Sequence, residues 1–351
     1  MRAHFRVIRV NRWGLAAAIL AVLAVLLLRP GARFLTVGAT PSYTVQPGVT
    51  IGRRDFSGAS EQAAKQMLAQ MAPLYRTKPD SAYQVKFTDG SIYVIPETNG
   101  YELDVEATWT RLATARANTV VAPATRLVTP TKKLGDFPKA VIRHGNPTKQ
   151  AVGLLINVDW GSEELAQMLP VLKNRGAKVT FFVSGRWAAK PENKGLIDQM
   201  VADGHEVASH GHVLTEDGPL DLAKRGKLRS DIETSVKVIQ EKTGLPVRYY
   251  APHKSQISPE ILRTADELKL RTVLYSLDTR DWMREVGPVQ IMDTFRKAMA
   301  GDLILLHPKP NTAKVLDQAV QHLQGKGLAP VTLSDLLSPE PETPPVISGG
   351  H

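Results

Sequence analysis

A chain of 351 residues with 43% hydrophobic and 22% charged residues is long enough for more than one domain and too apolar to be disordered. It has no cysteine, which excludes disulfides, thiolate metal sites and cysteine nucleophiles together. The net charge of +10 is spread along the sequence without a basic helix, an aromatic–basic RNA signature or a zinc finger, so nucleic acid is not an expected partner; the excess suits solubility or attraction to anionic lipids and wall polymers.

Arg2, Arg6, Arg9 and Arg12 precede an uncharged run of sixteen residues, Trp13–Leu28, with Arg29 and Arg33 after it. The run and its flanking arginines predict a cytoplasmic tail (1–12), a single transmembrane helix as anchor (13–28) and a main body outside the cytoplasm. Cleavage after Ala39 would instead give a secreted protein. A linker rich in Pro, Gly and Thr follows (29–46).

Residues 47–125 carry a small α+β pattern. Ser60 is a helix N-cap, with Ala63, Ala64, Met67, Leu68 and Met71 on one face. "YQVKFTDGSIYVI" alternates apolar and polar residues on both sides of Asp89-Gly90, the signature of a hairpin. "DVEATWTRLATARA" reads as a second helix. "PGVTIGRRDFSGASEQAAKQML" and "TNGYELDVEATW" resemble the peptidoglycan-binding module found outside the membrane in many Gram-positive proteins. A spacer role fits the same features, which are mostly turn glycines, a cap and apolar periodicity.

After a polar linker (126–149), residues 150–337 alternate short apolar runs with amphipathic segments. Strands are predicted at "VGLLINV", "KVTFFVSG", "EVASH", "VRYYA", "RTVLYSL", "DLILLH" and "APVTL", and helices around 163–174, 192–203, 222–242, 258–268, 288–299 and 312–325. Such alternation predicts an α/β fold with a parallel sheet, open or closed into a barrel, whose chemistry sits at the C-terminal strand ends. Those ends present Asp159, Ser209-His210, His253, Asp278 and His307. The tail, 338–351, is Pro-rich and expected to be disordered.

"INVDWG", "KVTFFVSGRW", "GHEVASHGH", "RYYAPHKS", "SLDTRDW" and "DLILLHP" together resemble the NodB-type polysaccharide deacetylases, carbohydrate esterase family 4. The resemblance implies a distorted (β/α) barrel that removes N-acetyl groups from chitin-like sugars or peptidoglycan with a Zn-type divalent metal held by one Asp and two His. It places Asp159 as general base, His210 as a metal ligand, His307 as general acid and Asp278 as the aspartate orienting that acid. Trp282 and Leu305 fall on the acetyl pocket, with Trp160 beside them. "DWG" with "GRW" is similar to a sporulation-associated branch of the family.

Three positions depart from the pattern. Trp160 replaces the metal-binding Asp, Leu214 stands where the second metal His belongs, and Ala251 replaces the Arg that holds the base. One ligand out of three is too few for a catalytic zinc site, so the usual metal is expected to be lost. Alternation along a strand puts His210 and His212 on one face, so a displaced site of His210, His212 and Asp159 or His253 is the alternative. Two readings stay open, a wall-glycan-binding pseudoenzyme and an active amide hydrolase with a displaced metal. His205 is expected to be structural and His322 a surface residue.

Overall fold

The computed structural model describes residues 43–86, 92–213 and 215–339. It falls into two compact units, Met1–Gln66 with Trp109–Val121 and Met67–Thr108 with Ala122–His351. In the first, strands β1 (Thr50–Ile51) and β2 (Arg54–Asp55) pair antiparallel, and Thr50 bridges to Val120. Helices Glu61–Met71 and Val105–Thr114 are divided between the units. The first gives way to a 3-10 turn, Ala72–Tyr75, at Pro73, where a missing N–H would break the α ladder.

In the second unit β3 (Tyr83–Lys86) and β4 (Ile92–Ile95) pair antiparallel with Tyr83 opposite Ile95 and Lys86 opposite Ile92. The pairing of Lys86 with Ile92 leaves the five residues 87–91, which include Asp89-Gly90, between the strands, and these lie outside the described residues. Strands β5 (Gly100–Leu103) and β6 (Thr125–Val128) pair antiparallel, and β7 (Val141–Ile142) pairs with β4.

The larger sheet is entirely parallel, in the order β12-β11-β10-β9-β8-β14-β13. These are β8 (Ala151–Val158), β9 (Thr180–Val183), β10 (Glu206–Ser209), β11 (Tyr249–Tyr250), β12 (Arg271–Thr272), β13 (Leu277–Asp278) and β14 (Leu303–Leu306). A further strand, β15 (Ala329–Val331), pairs with the start of β8. Strands β12 and β13 occupy opposite ends of this order yet are joined by residues 273–276. Five Cα steps reach at most about 18 Å, whereas the ends of a flat seven-strand sheet would lie about 29 Å apart. The sheet must therefore curl into a half-barrel. The run "RTVLYSL", which reads as one strand in the sequence, is the connection that crosses its open side.

Alternation on β8 sends Val152, Leu154, Ile156 and Val158 into the core shared with the helices. Ala151 and Leu155 face the inner cluster with Phe182, Ala208, Ala251 and Leu303. Leu333, Leu336 and Leu337 from helix Leu333–Leu337 complete that inner cluster. Near the start of β14, His144 donates from Nδ1 to the Gly145 carbonyl at 2.7 Å and reaches Asp302 through Nε2 at 3.2 Å. Burial opposes the imidazolium, but the bonds to Asp302 and Gly145 outweigh it and raise His144 above its ordinary 6.5. This contact therefore stabilises the fold fully below pH 6.5 and weakens as pH rises through the raised value. The melting-temperature advantage of the wild type over His144→Gln is expected to be largest near pH 6 and to shrink by pH 8.5; an advantage that grows with pH would refute the assignment.

The expected single-pass anchor and cell-membrane localisation are overturned. Among the described residues no helix is long and apolar enough to cross a membrane. The run Trp13–Leu28 lies outside the described residues.

Candidate functional site

The alternation that sends Ala151 and Leu155 inward carries Asn157 and Asp159 to the inner face at the C-terminal end of β8. The same parity places His210 beyond Ala208, His253 beyond Ala251, and His307 beyond Leu303 and Leu305. These side chains, with Trp160, Lys254, Ser255, Tyr275, Asp278 and Trp282, line a cleft of about 460 Å³.

Asp159, His210 and His253 form its floor. Asp159 Oδ2 lies 3.7 Å from His210 Nε2 and 3.6 Å from His253 Nδ1, and the three donor atoms fall within 4.8 Å of one another. His210 Nδ1 donates to the Ala251 carbonyl at 2.6 Å, so its Nε2 keeps the lone pair that faces Asp159. Burial lowers the pKa of His210 and, with His210 adjacent, pushes His253 down to about 2. Both rings are neutral at pH 7, the form that ligates a metal. Asp159 Oδ1 and His253 Nε2 are buried without a hydrogen-bond partner.

Distances of 3.6 and 3.7 Å are too long for hydrogen bonds. Two ligands bound tetrahedrally to one ion at 2.0–2.2 Å stand about 3.4 Å apart. The donor set therefore fits a divalent cation. The main-chain carbonyl at position 251 thus fixes the tautomer of a candidate ligand whichever side chain stands there.

His212 is not in this cleft. Strand β10 ends at Ser209 and Gly211 turns the chain at φ +84°, so strand alternation stops before His212. Its backbone N–H donates to Asp231 Oδ2 at 2.9 Å, and its ring packs against Gly185. Leu214 lies outside the described residues. His205 stacks edge-on against Phe181 and accepts from Val179 N through Nδ1 at 3.3 Å. Burial pushes it down to about 4, in keeping with a structural role.

His307 is oriented by Asp281 and not by Asp278. His307 Nδ1 donates to Asp281 Oδ1 at 2.8 Å, while Asp281 Oδ2 accepts from His307 N at 2.7 Å and from Thr312 Oγ1 at 2.6 Å. The chain leaves β13 at Asp278, whose Oδ1 accepts from Arg280 N at 2.8 Å. Arg280 then adopts φ +56°, and the turn delivers Asp281 beneath His307. Asp278 stays on the cleft wall, which it shares with Tyr275 and Ser255. Sequence reasoning missed Asp281, Thr312 and Tyr275; the second Asp of "DTRD" was the available signal.

Trp160 forms the rim, 38% exposed, its indole parallel to the His307 imidazole at 6.2 Å between centroids. Lys309 Nζ lies 5.0 Å from the indole centroid. Gly161 holds this arrangement: its φ is +82°, and a Cβ there would stand 2.4 Å from the Pro308 carbonyl oxygen. Leu305 and the 53%-exposed Trp282 complete the wall.

Residues 144–273 match the polysaccharide deacetylase family, and residues 58–119 match a peptidoglycan binding domain. The chain is 28% identical to the uncharacterized protein YlxY of Bacillus subtilis, over 80% of this chain and 85% of that protein. It is 30% identical to a chitooligosaccharide deacetylase of Sinorhizobium fredii, over 49% of this chain and 78% of that protein. The crystal structure of BA3943, a CE4 family pseudoenzyme from Bacillus anthracis, superposes with a TM-score of 0.64 at 27% identity, covering 79% of this chain and 96% of that one. A BA3943 mutant described as having restored enzymatic activity matches equally well, at 26% identity over 79% of this chain and 99% of that one. These likenesses carry no link to sporulation.

Proposed function

The chain belongs to the polysaccharide deacetylase family, NodB type, and from its cleft we propose a protein that binds N-acetylated wall glycan, with a rebuilt cation site and impaired hydrolysis. One observation carries the reading: Asp159 is the single carboxylate of the floor trio. Holding a cation and abstracting a proton from water fall to the same group, where the family divides them between two aspartates.

His253 supplies the donor that Trp160 and Leu214 do not, so Asp159, His210 and His253 would hold the ion. A divalent cation there supplies Lewis acidity towards an acetamide oxygen. The protein's own residues do the rest. The Trp-lined wall takes the acetamido sugar, the floor places Asp159 against the attacking water, and His307, with Nδ1 fixed by Asp281, turns its other nitrogen to the cleft as a proton donor for a leaving amine. The peptidoglycan-binding match over 58–119 supports a peptidoglycan or chitin-like polymer as the partner.

Titrating the full chain with Zn²⁺ or Co²⁺ in a calorimeter tests the site. One equivalent should bind, and His253→Ala should weaken binding by about 100-fold or more, since even outer-shell losses cost 10–100-fold. Unchanged binding in His253→Ala would remove His253 from the site. Acetate release from bound chitooligosaccharide or peptidoglycan should be slow; rapid turnover by the wild type would overturn the impairment. The intact His307–Asp281–Thr312 chain favours a second reading, an active deacetylase working through the rebuilt site. The restored activity of the BA3943 mutant supports impairment that rests on few residues.

A further inference from the structure

We propose that Trp160 and Lys309 form a sugar-reading pair that makes the cleft prefer glycans bearing an anionic substituent, carboxylate or phosphate, over neutral ones. The proposal rests on the glycan-binding reading and adds the feature of the glycan that is selected. Trp160 presents a partly exposed indole at the mouth of the cleft, which it shares with the exposed Trp282. An exposed aromatic face of this kind packs against the C–H face of a pyranose ring with little loss of side-chain entropy.

The indole is held in place. Gly161 packs against Pro308 at a distance no other residue allows, so the segments Trp160-Gly161 and His307-Pro308-Lys309 form one rigid corner. His307 covers one side of that corner, and the Lys309 ammonium stands 5.0 Å from the indole. Lys309 forms no ion pair with a carboxylate among the described residues. Lys254, which lines the cleft itself, is already tied to the Glu216 carbonyl, whereas Lys309 stands outside the lining, over the Trp160 ring. Lys309 also caps helix Pro310–Gly325, whose N-terminal end adds positive potential at the same place. An acetamido sugar in the cleft would therefore carry any anionic group on its neighbour towards an uncommitted cation beside an aromatic platform.

The test is calorimetric titration of the full chain with three probes: chitotetraose, chitotetraose phosphorylated at O6, and a peptidoglycan tetrasaccharide with free lactyl carboxylates. At low salt one or both anionic probes should bind about 2- to 5-fold tighter than chitotetraose, as expected for one partly exposed charge pair. The probe preferred identifies carboxylate or phosphate as the group read. In Lys309→Met the ratio should fall to near one, and Lys309→Arg should restore it, with melting curves confirming that both variants fold. Equal affinity for all three probes, or a ratio unchanged in Lys309→Met, overturns the pair and leaves the glycan-binding reading standing. Failure of every probe to bind overturns both.

Discussion

Trp160→Asp is expected to raise acetate release from N-acetylated glycan by about 100-fold or more, the usual contribution of a positioned general base. Strand β8 ends at Val158, and beyond it Asp159 and residue 160 both line the cleft. A carboxylate at 160 can hold the cation and release Asp159 to act on water. The same substitution removes the indole that stacks on His307 and carries Lys309, so KM should rise while kcat rises. Steady-state acetate release by Trp160→Asp, beside Trp160→Asn, separates the charge from the loss of bulk. If the two variants are equally slow, the shared carboxylate is not what limits the wild type.

Asp281→Ala is expected to destabilise the fold by about 3 kcal/mol, because three donors lose their acceptor at a fully buried carboxylate. Against the unfolding entropy of a 351-residue chain that corresponds to a fall in Tm of about 4 °C. Asp278→Ala should cost about 1 kcal/mol, since its carboxylate is half-buried on the cleft wall and supports a local turn. In the Trp160→Asp background, Asp281→Asn should also remove most of the gained acetate release, as the imidazole loses the group that fixes its orientation. Thermal melts of the two alanine variants settle the assignment; a larger loss in Asp278→Ala would return the orienting role to that residue.

Much of the fold was legible because its signals are local. Eight consecutive residues of β8 with alternating destinations, and helices capped by Ser or Pro, need no long-range information. The edge strands were harder. Strands β11, β12 and β13 are two residues each, too short for any periodicity, so "RTVLYSL" could not be seen to leave one edge and join the other. At the site, Asp159, His210 and His307 were legible as residues at C-terminal strand ends, because each follows a strand directly and the cleft gathers all three. Alternation along the strand did not reach His212, which lies past Gly211, and the aspartate bonded to His307 is Asp281, which the left-handed turn at Arg280 separates from the Asp278 that the resemblance pointed to. His253 was visible only as an unusual residue at a strand end. Its meeting with Asp159 and His210 depends on three strands brought together by the curl.

That curl also governs how the protein behaves at high concentration. A sheet recruits foreign strands through the unpaired N–H and C=O groups along its outermost members. Here those members, β12 and β13, offer two residues each, against the five or six of an ordinary strand. The β12 side is further occupied where Val273 bridges to Ile142 and Leu274 N donates to the Ile142 carbonyl at 2.8 Å. The half-barrel thus gives other chains almost no backbone to copy, and Arg271 and Asp278 add a charge to each of the two short edges, so edge-to-edge aggregation of this sheet is suppressed by geometry first and charge second.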